Sequence, residues 1–264
     1  MAMLEQERQD AAQALFEAER TRQWIEPITT TYPGADIADA YAIGQMVTEA
    51  KVAAGRRVCG HKVGYTSAAM RDAFGATEPD YGTIFDNWIV EDGSTISMKS
   101  VNRPWVEIEL AFVLKAELGG PTVDATDVIK ATDYVLPSIE ICDSRFTTDG
   151  DGGVIDSIAD AASCGLVIVG GNRVKLADFD PCDLTGALYI NGELAESGTG
   201  AAVMGNPINA VAWLARKLSE FGVTMEAGHI VLSGSFIAAR AVEANDSVVA
   251  DFGSLGKINL EFSA

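Results

Sequence analysis

The sequence predicts an α+β fold. Segments of strand-like alternation rich in Val, Ile and Leu recur from the middle of the chain to its end, while helical periodicity is confined to a few scattered stretches. The composition is that of a globular protein: 48% of the 264 residues are hydrophobic and 26 are glycine, enough to build and turn a sizeable core. No linker composition and no internal repeat divides the chain, so residues 1–264 are expected to form one catalytic domain.

Taken in order, residues 3–22 are polar with Ala, Leu and Phe at helical intervals and read as a helix. A second helix follows Asp36, an N-cap residue, with Ile37, Tyr41 and Val47 among its apolar positions and Gly55 as its stop. Residues 58–67 read as a strand running into a loop, with further strands at 84–90, 106–114 and 134–142 and a short helix at 125–131. The Gly- and Asp-rich stretch TTDGDGGVIDS after residue 145 is expected to be a loop and a mobile lid. Strands resume at 165–169 and 187–190, and Asn191-Gly192 signals a hairpin, because both central residues of a type I′ turn need positive φ. Asn206-Pro207 opens a helix lined by Ile208, Val211, Leu214 and Leu218 and closed by Gly222. The last forty residues alternate short strands with glycine turns.

The net charge is −19, from 19 basic and 38 acidic side chains. Such a chain repels nucleic acid and anionic membrane, which need Lys and Arg to replace their counterions. It also repels a carboxylate substrate unless a local cation reverses the field. No apolar run approaches a membrane span and the acidic N-terminus has no signal-peptide character, so a cytoplasmic protein is expected. The four cysteines show no CxxC spacing and are read as buried, reduced thiols; with only two histidines, a His/Cys zinc site is not expected.

The segment RPWVEIELAFVL, residues 103–114, carries the chemistry. Alternation puts Glu107 and Glu109 on one strand face and Val106, Ile108, Leu110 and Phe112 on the core face. Two neighbouring carboxylates repel, and a third, Glu140, sits in the apolar strand VLPSIEIC. Two readings satisfy this pattern: a solvated strand face with Glu140 paired to Arg145, or a hard divalent cation such as Mg²⁺ or Mn²⁺. Lys62 in GHKVGYTS is either a surface lysine or, beside a metal, a proton donor and acceptor with a lowered pKa. Asp80 in EPDYG reads by itself as a turn former.

GHKVGYTS, EPDYG, RPWVEIELAFVL, GGP at 119–121, ATDYVLPSIEICDSR and VLSGSF, in that order, resemble the hydratase/decarboxylase branch of the fumarylacetoacetate hydrolase superfamily from about residue 30 to the C-terminus. The resemblance implies a mixed β-roll or barrel from about residue 81 onward, a smaller α/β portion over about 1–80, and a homo-oligomer. It implies a Mg²⁺ or Mn²⁺ held by Glu107, Glu109 and Glu140, with Lys62 and Asp80 as acid/base residues. Ser163, Ser233, Ser235 and Arg145 are expected to bind substrate. The implied activity is hydration of a 2-hydroxy-2,4-dienoate, or its 2-oxo tautomer, in meta-cleavage degradation of aromatic compounds. Decarboxylation of a 4-oxalocrotonate-type acid is the alternative, followed by C–C bond hydrolysis or a role as an inactive assembly partner. His61 and Tyr81 match hydratases of dicarboxylic substrates, and Arg71, Arg103 and Arg145 are candidates to meet a distal carboxylate. One departure stands out: the branch usually has D-N-A-S where this chain has Asp160-Ala161-Ala162-Ser163, so Ala161 cannot make the amide's hydrogen bonds.

Overall fold

The computed structural model describes residues 3–147 and 153–264. The N-terminal part is helical: α1 (Glu5–Thr21), the single turn α2 (Ile28–Thr31) and α3 (Ile37–Ala53). Asp36 caps α3 by accepting from the Asp39 N–H at 2.9 Å, and Gly55, at φ +90°, ends the helical segment as expected. The chain then runs through β1 (Val58–Gly64), α4 (Ala68–Phe74), β2 (Asp80–Phe85), β3 (Ile89–Glu91), β4 (Thr95–Ser97), β5 (Trp105–Leu114), α5 (Ala125–Ala131) and β6 (Thr132–Cys142). It continues through α6 (Val154–Ala159), β7 (Cys164–Val169), β8 (Thr185–Ile190), β9 (Glu193–Thr199), α7 (Pro207–Ser219), β10 (Ile230–Ser235), β11 (Arg240–Ala241), β12 (Ser247–Asp251) and β13 (Lys257–Ser263).

The strands form two sheets. The larger has the order β2-β1-β10-β5-β6-β7-β3 with β11 added to β5, and the smaller has the order β4-β13-β12-β8-β9. Strands β2 and β3 occupy opposite ends of the larger order, yet only the turn Asp86–Trp88 separates them in the chain. Three residues span about 10 Å at most, so the sheet must curl until its ends approach. This is the roll the resemblance implied. Within the stretch of about 1–80 read as an α/β portion, α1 to α3 precede β1, which pairs into this sheet.

Several local expectations need correction. The strand expected at 84–90 is broken, because Asp86 turns its carboxylate onto the Asn87 and Arg57 N–H groups and the chain leaves β2 there. α4 was missed, although Ser67 caps it by accepting from the Met70 N–H and Gly75 ends it at φ +67°. The stretch read as a loop and lid includes α6; its residues 148–152 lie outside the described residues. By contrast, Asn191 and Gly192 take φ of 54° and 80° between β8 and β9, and Asn206 caps α7 at 2.9 Å, both as expected.

Register defines two faces of the larger sheet. Across β5 and β6, Val106, Ile108, Leu110 and Phe112 share a face with Ile139 and Ile141, and this face packs with α7 and the smaller sheet into the main core. Each such side chain contributes about 1.5–3 kcal/mol when fully buried. The other face carries Glu107, Glu109 and Ala111 opposite Glu140, Ser138 and Leu136. Part of it is apolar, where Ala111, Leu136, Val167 and Leu232 pack together, and the remainder holds the polar cluster described next. A third apolar cluster joins α1 and α3 to α6.

Candidate active site

Cross-strand register assembles the carboxylates. Glu107 on β5 lies directly opposite Glu140 on β6, and Glu109 lies opposite Ser138. Glu109 and Glu140 are 0% exposed, which decides against a solvated strand face. Glu109 Oε2 accepts the Gly234 N–H at 2.7 Å, while its Oε1 has no hydrogen-bond partner among the described residues. Gly234 is at φ +107°, a conformation that suits glycine, and it aims that N–H from the end of β10.

Lys62 reaches this cluster from β1. Its Nζ lies 3.1 Å from Glu140 Oε1, close enough for an ion pair but without hydrogen-bond alignment, and Glu140 Oε2 has no hydrogen-bond partner among the described residues. Glu140 therefore pairs with Lys62 and not with Arg145. Burial disfavours the Lys62 charge, but Glu140, with smaller help from Cys142 and Asp80, outweighs it and holds the pKa well above the ordinary lysine value. This direction belongs to the metal-free chain, where the lysine faces carboxylates alone; the lowered pKa expected of Lys62 belongs to the metal-loaded site. Burial, then Glu140 and Glu107, pushes the Glu109 carboxyl well above the usual range.

Asp80, at the start of β2, shares the Lys62 face, since Lys62 pairs with Gly82 and Gly64 with Asp80. Its Oδ2 accepts the Ser157 hydroxyl at 2.7 Å, so α6, which the sequence did not reveal, orients it. The turn after α6 has an unusual backbone: Ala161, Ala162 and Ser163 all take φ between 52° and 55°. Left-handed conformation costs an L-residue roughly 1–2 kcal/mol. The turn presses so close to β2 that a Cβ at Gly82 would overlap the Ala161 carbonyl, and the Ser163 carbonyl accepts the Asp143 N–H at 2.8 Å. The missing Asn at 161 therefore matters to the backbone as well as to side-chain contacts, since Asn tolerates this region better than Ala.

Arg145 requires correction. Expected to bind substrate, it is buried and braces the turn: Nε pairs with Asp160 Oδ1, Nη1 donates to the Asp143 and Cys164 carbonyls at 2.7 and 2.8 Å, and Nη2 donates to the Asp160 carbonyl at 2.5 Å. His61 and Tyr81, matched to hydratases of dicarboxylic substrates, lie outside this cluster. Strand alternation turns them away from Lys62 and Asp80, and they line a cavity of about 510 Å³ with Tyr41, Phe221 and His229. Arg71 donates to the Tyr65 and Thr66 carbonyls, and Arg103 lies over the Trp24 ring. Ser233 is fully buried with no hydrogen-bond partner for its hydroxyl among the described residues, whereas the Ser235 hydroxyl donates to the Ile237 carbonyl at 2.9 Å.

One residue of the cluster was missed. Cys142, two positions beyond Glu140 on the same face, places its Sγ 3.8 Å from Glu107 Oε2. Donor atoms of Glu107, Glu140 and Cys142 all lie within 4.8 Å of one another. Glu109 falls outside that tight set but contributes the neighbouring carboxylate. The signal was present in the i, i+2 spacing of E-I-C; reading all four cysteines as buried, reduced thiols hid it. These residues fit a divalent cation: buried carboxylate oxygens without hydrogen-bond partners are costly, and one lysine does not balance three carboxylates.

The fold and site together define a metal-binding enzyme of the roll type, and the chain belongs to the fumarylacetoacetate (FAA) hydrolase family, whose C-terminal domain it matches over residues 40–262. It is 40% identical over 256 residues to a 2-oxo-hept-4-ene-1,7-dioate hydratase of Escherichia coli, covering 95% of this chain and 96% of that one. It is 36% identical over 251 residues to a 4-oxalocrotonate decarboxylase of Pseudomonas putida, covering 95% of each. The solved structure of the 4-oxalocrotonate decarboxylase from Pseudomonas putida G7, complexed with magnesium and adipate, superposes with a TM-score of 0.95 at 33% identity over 98% of both chains.

Proposed function

We propose that the chain is a Mg²⁺- or Mn²⁺-dependent hydratase of 2-hydroxy-2,4-dienoates and their 2-oxo tautomers, with a dicarboxylic substrate preferred. The observation that carries this reading is the trio Glu107, Glu109 and Glu140, the last two fully buried, beside Lys62 and Asp80. A divalent ion held by Glu107, Glu109 and Glu140 would supply Lewis acidity to the bound substrate. Lys62, protonated beside Glu140, delivers a proton from Nζ to C5 of the dienol, and regains one as the 2-hydroxyl becomes the ketone. Water then adds its oxygen to C4, which the conjugated ketone makes electrophilic, and C3 takes the proton. Asp80, held by Ser157, takes the proton that the attacking water gives up and relays it to C3. Ser163, Ser233 and Ser235 lie on segments that approach the same face and are read as contacts to the substrate carboxylate. A homo-oligomer in the cytoplasm completes this reading; exposed Trp24, Trp105 and Leu194 offer apolar surface to a second copy, and no described helix is long and apolar enough to cross a membrane.

Decarboxylation is the second reading, favoured by the 0.95 superposition on the decarboxylase. Product analysis by NMR separates the two, using 2-hydroxydienoates with and without a distal carboxylate. A 4-hydroxy-2-oxo acid formed with Mg²⁺, abolished by EDTA and restored by fresh metal, is expected. Loss of CO₂ without hydration favours the second reading, and full turnover in EDTA or in Glu140→Ala overturns the metal assignment.

A further inference from the structure

The carboxylate site also contains a sulfur atom that a magnesium enzyme does not need. Mg²⁺ is a hard ion that takes oxygen ligands, whereas a thiolate selects softer ions such as Zn²⁺ and Cd²⁺. Cys142 Sγ is 3.8 Å from Glu107 Oε2, and both lie within 4.8 Å of a Glu140 oxygen. A tetrahedral ion with metal–sulfur and metal–oxygen bonds of about 2.3 and 2.0 Å separates two such donors by roughly 3.5 Å. The Cys142–Glu107 spacing is therefore within a few tenths of an ångström of what one ion requires, and a Glu140 oxygen lies within 4.8 Å of both. Independently, Glu140 is 0% exposed and its Oε2 has no hydrogen-bond partner among the described residues, so a carboxylate oxygen in the same cluster is left for a cation.

The sulfur is also held in place. Cys142 ends β6 on the Glu140 face and pairs across the sheet with Cys164, the first residue of β7, just after a register shift. The shift brings Cys142 to the mouth of the strand pair, where its side chain is half-buried beside Glu107. Cys59 and Cys182 are engaged elsewhere, at the Ile84 and Gly205 carbonyls.

We propose that Cys142 is a sulfur donor to an ion held by Glu107 and Glu140, so that thiophilic divalent ions bind this chain through a mixed oxygen and sulfur set while Mg²⁺ uses the carboxylates alone. The proposal rests on the carboxylate site of the proposed function but not on the reaction catalysed there. Binding converts the Cys142 S–H into a sulfur–metal bond and releases the proton to solvent. Zn²⁺ and Cd²⁺ then compete with Mg²⁺ for one site and hold it more tightly.

The test is a Cd²⁺ titration of chelator-stripped full-length chain, read by the ultraviolet thiolate-to-cadmium charge-transfer band. The band should saturate at one ion per chain and be bleached in part by Zn²⁺ competition. Cys142→Ser and Cys142→Ala should both lose it, with Cd²⁺ affinity falling at least about tenfold, the scale of losing a strong influence on a metal site. Their Mg²⁺ affinity, measured by calorimetry, should stay near that of the parent chain, which also shows that the variants fold. Cys59→Ser and Cys182→Ser should keep the band. A chain with no band, or a band that survives in both Cys142 variants, overturns the proposal. If the band behaves as stated but no dienoate is hydrated, the functional reading fails and this one stands; a Mg²⁺-dependent hydratase without the band gives the opposite result.

Discussion

Replacing Arg145 with methionine should destabilise the protein severely while leaving no substrate contact to lose. The guanidinium is 3% exposed and binds Asp160 through both its carboxylate and its carbonyl, as well as the carbonyls of Asp143 and Cys164. Methionine fills much of the same volume but leaves Asp160 as a buried anion without its cation. Removing one partner of a buried pair costs about 3–5 kcal/mol. A chain of this size shifts its melting temperature by roughly 2–4 °C for each kcal/mol, so a fall of roughly 6–20 °C is expected. Arg145→Lys should recover little of it, because a point ammonium cannot serve four acceptors in a plane. Thermal unfolding should be followed by circular dichroism in EDTA, so that metal binding does not mask the loss, together with KM for the dienoate below the transition. Arg145→Met/Asp160→Leu, which removes both charges, should regain part of the stability. A melting temperature near the parent's combined with a strongly raised KM would refute the argument and return Arg145 to the substrate pocket.

Lys62→Ala should keep its metal affinity, since an ammonium ligates nothing, and lose turnover by roughly 10²–10⁴-fold; near-normal turnover would make the lysine a bystander to Glu140. The His61 imidazole is pushed down to about 3 by burial and, secondarily, by His229. The folded state therefore keeps His61 neutral while the unfolded chain takes up a proton below about pH 6.5, so stability is present above that pH and is lost as the pH falls toward 3, by about 2 kcal/mol at pH 5. Denaturant unfolding from pH 8 to 5 should show this slope in the parent and a shallower one in His61→Gln. Ala161→Gly should raise stability by about 1 kcal/mol, because glycine takes the left-handed conformation without the Cβ penalty; an unchanged or lowered melting temperature would show that the turn is not strained.

Much of the site was legible because strand alternation is a local property. Glu107 and Glu109 had to share a face once residues 106–114 formed a strand, and caps such as Asp36 and Asn206 act within one turn of their own helix. The chain's order of motifs likewise led to the family, since it reflects shared ancestry and not geometry. Tertiary structure alone decided which groups meet across distance. Register set Glu140 against Glu107 and Cys142 beside it; α6 supplied Ser157 to Asp80 from 77 residues away; and Arg145 turned inward to Asp160 instead of toward a substrate. Sequence patterns cannot rank such pairings, because a buried charge takes whichever partner the fold delivers, and that depends on how the sheet curls and where α6 docks against it.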